Sequence, residues 1–108
     1  LFTLPLTLPV EEDYAYSAYH LYVIQIDETK TSANRKDVFD YLKQNGIGVN
    51  VHYIPVHTQP FYKNLGFKEG DFVHAENYYH RAITLPLFPM LKDEEQDYIA
   101  QLLRDYKW

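Results

Sequence analysis

The chain has no cysteine, and only four glycines, one methionine and one tryptophan, in 108 residues. Without a thiol there is no disulfide and no thiolate metal site, which agrees with a reducing compartment and leads us to expect a cytoplasmic protein. The glycines stand singly at 46, 48, 66 and 70, so no glycine-rich loop can cradle a phosphate. No serine occupies a Gly-x-Ser-x-Gly elbow, which argues against a hydrolase. Positive charge is also scarce: ten Lys and Arg face fifteen Asp and Glu, a net charge of −5. Nucleic acid and anionic membranes are therefore unexpected partners, because their affinity rests on neutralising phosphates. No apolar run approaches the length that spans a bilayer.

What is present suits one domain with one core: 46% of residues are hydrophobic and 23% charged. Eleven tyrosines outnumber six phenylalanines. Tyrosine joins a large apolar body to a polar tip, which favours interfaces and pocket walls. The chain opens without methionine, inside the apolar phrase LFTLPLTLPV, and closes on Trp108. That reads as a segment of something longer.

The first thirteen residues, with Pro5 and Pro9, read as irregular. Tyr19 to Ile26 reads as a central strand covered on both faces. The stretch 27–34, by its charge and its Asn, Ser and Thr content, reads as a surface loop. Asn34 offers an N-cap with Asp37 three residues on, Val38, Tyr41 and Leu42 form the stripe of a helix, and Gly46 suits its C′ position. Val49 to Tyr53 reads as a second strand. Pro60 near the first helical position opens a short helix, with Phe61 and Leu65 four apart. Asp71 can cap another helix through Arg81, striped by Phe72, Ala75, Tyr79 and Ala82, on which one of the adjacent Tyr78 and Tyr79 faces the core. AITLPLFP follows as a short strand. Asp93 caps the last helix with Gln96 completing a box, and Ile99, Leu102, Leu103 and Tyr106 line its inner face. The order β-α-β-α-α-β-α predicts an α/β two-layer sandwich: a small mixed or antiparallel sheet of about three strands, with helices mainly on one face.

Polar chemistry concentrates in VNVHYIPVHTQPFY, Val49 to Tyr62. His52 and His57 are five apart with Pro55 between them, so they do not share a helix face as in a zinc helix. His74 and His80, six apart, fall on different faces of one helix, and no metal site is expected. His57, held by a proline-shaped turn at a strand end, is the best placed group for acid–base work or polar contact. Asp71, Asp93, Glu94 and Glu95 are accounted for by helix starts, where the dipole favours negative charge.

Three phrases in register, YHLYV, GIGVNVHYIPVHTQP and AITLPLFPMLKDEEQ, resemble the C-terminal domain of the DegT/DnrJ-type sugar aminotransferases, across nearly the whole chain. The resemblance implies a small domain of the pyridoxal-phosphate fold type I. Within the family, HYIPVHTQPFY, GDF and TLPLFP look most like transaminases of UDP-linked 4-keto-6-deoxy-N-acetylhexosamines, which supply aminosugars such as pseudaminic acid to surface glycans. In such enzymes glutamate donates the amine, a lysine holds pyridoxal phosphate, and the cofactor site belongs to a large N-terminal domain. None of the seven lysines here stands in the family's lysine motif, so the resemblance implies a segment with no catalytic residue of its own, inactive alone and not bonded to the cofactor. It further implies that residues 52–59 form one wall of a nucleotide-sugar site, with Tyr53 and His57 facing the sugar and Gln59 and His52 in support, and that the parent enzyme is a homodimer. Two other readings of the residues stay open: a self-standing module for a carbohydrate or other small ligand, and a dimerisation domain without catalysis.

Overall fold

The computed structural model describes residues 1–108. Three strands, β1 (Leu6–Thr7), β2 (Tyr22–Ile26) and β3 (Ala82–Leu85), form one sheet in the order β1-β2-β3, and both pairings are antiparallel. Ile24 lies opposite Ile83, Tyr22 opposite Leu85, and Leu6 opposite Ile26. Because strand side chains alternate, this register puts these six residues on one face. Helices α1 (Arg35–Gln44) and α4 (Asp93–Asp105) supply the facing layer, through Val38 and Leu42 from α1 and Ile99, Leu102 and Leu103 from α4. Ile47 and Val49 complete the core. The expected three-stranded α/β architecture is present, with β2 in the centre as read.

Two of its strands differ from expectation. Leu6–Thr7, read as irregular, is an edge strand, limited to two residues between Pro5 and Pro9. Conversely, Val49 to Tyr53 is not a strand. Asn50 exchanges a single pair of backbone bonds with Thr84 (3.1 and 2.7 Å), and the next amide, that of Val51, donates to the Asn50 side chain at 2.7 Å. The next bonding position of an antiparallel ladder, His52 opposite Ala82, carries no backbone bond. β2 also begins three residues later than read, at Tyr22, after Tyr19 takes a left-handed φ of +43°.

Helix α1 follows its sequence signals. The Asn34 side chain accepts the Asp37 amide at 3.0 Å and donates to its carboxylate at 2.7 Å. At the other end Gly46 (φ +81°) turns the chain, so that Ile47 N–H reaches Leu42 O at 3.0 Å and Gly46 N–H reaches Lys43 O at 3.0 Å. This Schellman turn drops Ile47 into the core.

The caps of α3 (Val73–Arg81) and α4 are corrected. Asp71 does not cap α3; its carboxylate accepts the Lys68 amide at 2.9 Å, closing the preceding turn, and Phe72 leads into the helix. The stripe read there is not a core face. Phe72 and Ala75 are exposed, Tyr78 and Tyr79 are both half-buried, and Ala82 is buried as part of β3. In α4 the flanking residue is Lys92 rather than Asp93: Glu95 reaches back to accept the Lys92 amide at 2.8 Å, a role expected of Gln96. Beyond α4, Tyr106 packs edge-on against Tyr41 (centroids 5.1 Å apart) and Trp108 donates to Leu103 O at 2.9 Å. Helix α2 (Pro60–Asn64) starts at Pro60 as read, but Phe61 and Leu65 point to solvent. No helix is long and apolar enough to cross a membrane.

Candidate functional site

The four residues singled out from the sequence fall into two places. After the single Asn50–Thr84 bridge, the backbone carries His52 across β3, where its Nδ1 meets Thr84 Oγ1 at 2.9 Å. The Tyr53 ring stands edge-on to that imidazole, centroids 4.6 Å apart, and is 69% exposed; the peptide between the two residues is cis. Pro55 is buried and leads into a single 3-10 turn, Val56–Thr58. The turn is closed by Thr58 Oγ1 donating to Pro55 O at 2.7 Å and by Gln59 N–H donating to Val56 O at 3.1 Å. Gln59 is exposed at the entry to α2, where its carbonyl accepts the Lys63 amide.

His57 behaves differently from its neighbours. It is 6% exposed, and its Nε2 lies 2.6 Å from Glu76 Oε1 on α3. The same carboxylate accepts the Gly70 amide at 2.8 and 3.1 Å. The hydrogen bond from His57, and secondly that from Gly70, hold the Glu76 carboxyl below its usual value. Phe72 packs against the imidazole at 4.9 Å. With Val56, Tyr62, Phe67 and Ala75 these two rings line an apolar hollow of about 360 Å³.

His52 instead lines a cleft of about 790 Å³ between the β3 end, the Pro86–Leu91 loop and the start of α4. Asn50, Thr84, His20, Phe88 and Tyr98 share that lining, with Glu94 and Glu95 at its α4 end. A cleft of this size lies in the range of small-molecule sites. The structure thus brings His52 and Tyr53 together and leaves His57 on a separate hollow, tied to them through the backbone of the turn. Glu76 and Thr84, which anchor the two histidines, were missed by the sequence reading. They lie 19 and 32 residues away from their partners, and no local pattern marks them. No group of three or more His, Asp or Glu side chains is gathered as for a metal ion.

Residues 2–104 match the model of the DegT/DnrJ/EryC1/StrS aminotransferase family. The chain belongs to that family. Among its members, the spore coat polysaccharide biosynthesis protein SpsC of Bacillus subtilis (strain 168) is 43% identical over 102 residues, which is 93% of this chain and 26% of that protein. The putative sugar aminotransferase Spr1654 from Streptococcus pneumoniae superposes with a TM-score of 0.82 at 32% identity, over 92% of this chain and 25% of its own. Helicobacter pylori PseC, described as an aminotransferase involved in the biosynthesis of pseudoaminic acid, gives 0.71 at 31% identity, over 82% and 23%. The chain therefore spans about a quarter of the length of the relatives it matches.

The family is one of pyridoxal-phosphate sugar aminotransferases, and the Streptococcus protein has been described in both PLP and PMP forms. Lys30, Lys36 and Lys63 lie at the surface in pairs with Asp27, Asp40 and Glu69, and none of the four main cavities has a lysine in its lining.

Proposed function

We propose that this chain is the substrate-shaping domain of a pyridoxal-phosphate transaminase that aminates a nucleotide-linked 4-keto-6-deoxy sugar, with glutamate as amino donor, in surface-polysaccharide biosynthesis. The carbohydrate is UDP-linked in this reading, of the kind that leads to pseudaminic acid, and the parent enzyme is a cytoplasmic homodimer. The chain alone is inactive, because the lysine that holds the cofactor belongs to another part of the parent. The names of SpsC and PseC support a carbohydrate substrate.

The observation that carries this reading is the form of the turn at residues 52–59. Its two ends are pinned, by His52 to Thr84 and by His57 to Glu76, while Tyr53 and Gln59 keep their polar tips in solvent. A rigid turn with exposed hydroxyl and amide groups suits the hydrogen-bonding of sugar hydroxyls, since little conformational entropy is lost on binding. Tyr53 and His57 face the sugar; Gln59 and His52 support them.

The test uses a complete aminotransferase carrying this domain. His57→Asn is expected to raise the KM for the sugar nucleotide or lower kcat several-fold, with the cofactor absorbance unchanged. Tyr53→Phe, which keeps the ring against His52 and removes only the hydroxyl at an exposed position, is expected to raise KM in the same sense. Unchanged kinetics in both variants would overturn the assignment of the turn to the sugar site.

A further inference from the structure

We propose that Glu76 is the positioning residue of this site, fixing the tautomer of His57 so that Nδ1 is the imidazole nitrogen offered to a ligand. This rests on the assignment of residues 52–59 to the sugar-nucleotide site.

An ionised carboxylate can only accept hydrogen bonds. With Glu76 Oε1 at 2.6 Å, His57 Nε2 must carry the proton, in the neutral ring and in the imidazolium alike. Nδ1 makes no hydrogen bond within the domain, and the ring as a whole is 6% exposed. The neutral ring therefore presents a lone pair at Nδ1, suited to accept from a sugar hydroxyl. The imidazolium presents an N–H there, suited to a phosphate oxygen. The Gly70 amide, donating to both oxygens of Glu76, restrains the carboxylate from the side of the preceding turn. The pair thus joins the Val56–Thr58 turn, the Gly70 turn and α3 at one point. Phe72, leading into α3, packs against the ring, and Tyr62 from α2 is the other titratable group lining that hollow.

The experiment reads ring nitrogen-15 shifts of His57 in the 108-residue chain, for the natural sequence, Glu76→Ala and Glu76→Gln. In its neutral ring the natural chain should show Nε2 protonated and Nδ1 bare. Glu76→Ala should show exchange between both tautomers. Glu76→Gln keeps a carbonyl acceptor of the same shape, so it should keep the tautomer. A neutral ring protonated at Nδ1 in the natural chain, an unchanged tautomer in Glu76→Ala, or a lost tautomer in Glu76→Gln would each overturn the inference. If the alanine variant loses its amide dispersion, the glutamine variant decides alone. These readings need no sugar nucleotide, so they fail or succeed separately from the kinetics of His57→Asn.

Discussion

The imidazole of His52 and the hydroxyl of Thr84 meet at 2.9 Å across 32 residues of chain, and this bond ties the polar turn to the middle of β3. Thr84 is 5% exposed, so its hydroxyl has few alternatives to the histidine. Thr84→Val should lower unfolding free energy by about 1 kcal/mol, the net worth of an ordinary hydrogen bond. Urea titration of the two chains measures the difference, and an equal midpoint would show that water replaces the bond fully.

Core and rim leucines should separate by a wide margin. Leu42 is completely buried between α1 and the sheet, whereas Leu65 is 63% exposed. Leu42→Ala should cost roughly 2–5 kcal/mol, from lost burial and the cavity left behind. Leu65→Ala should stay within about 0.5 kcal/mol. Equal losses at the two sites would mean that α2 is packed against something in solution.

Acid should destabilise the chain in two steps. The folded-state carboxyl of Glu76 is held below its ordinary 4.5 by the His57 and Gly70 hydrogen bonds. That of Asp27 falls from 3.8 to about 2, because Lys30, then Thr29, bonds to its carboxylate. A depressed carboxyl stabilises the fold above its unfolded value and loses that contribution as pH falls through its folded value. The Glu76 contribution is therefore intact above pH 4.5 and lost below it. The Asp27 contribution is intact above 3.8 and disappears toward 2. Unfolding free energy measured from pH 6 to 2 should fall in both windows, and Glu76→Gln should remove only the upper one.

Helix α1 was fully legible, because everything that defines it is local: an Asn34 cap, a stripe of Val38 and Leu42, and a glycine where φ must be positive. Helix α4 was legible in its buried face and one residue off at its cap. The helix start depends on which carboxylate reaches back, and Asp93, Glu94 and Glu95 offer three candidates in a row. The edge strand Leu6–Thr7 was not legible. Two residues carry no periodicity, and they form a strand because Ile26 and Gln25 lie opposite them. Val49 to Tyr53 misled in the other direction, since its alternation is real but its pairing stops after Asn50.

The candidate site divides in the same way. The turn VHYIPVHTQP was visible as a concentration of polar groups, because residue type and the position of a proline are written in the sequence itself. That its histidines part company, one toward Thr84 and the cleft, the other toward Glu76 and an aromatic hollow, was decided by tertiary structure alone. A hydrogen bond spanning 19 or 32 residues forms only when packing brings its ends within 3 Å, and no local pattern encodes that approach. Sequence by itself thus determined the helices, the family and the chemistry available to the turn. The folded chain decided which of those groups are spent on holding the turn and which remain free to meet a ligand, because burial and partner geometry exist only once the sheet and helices have closed around them.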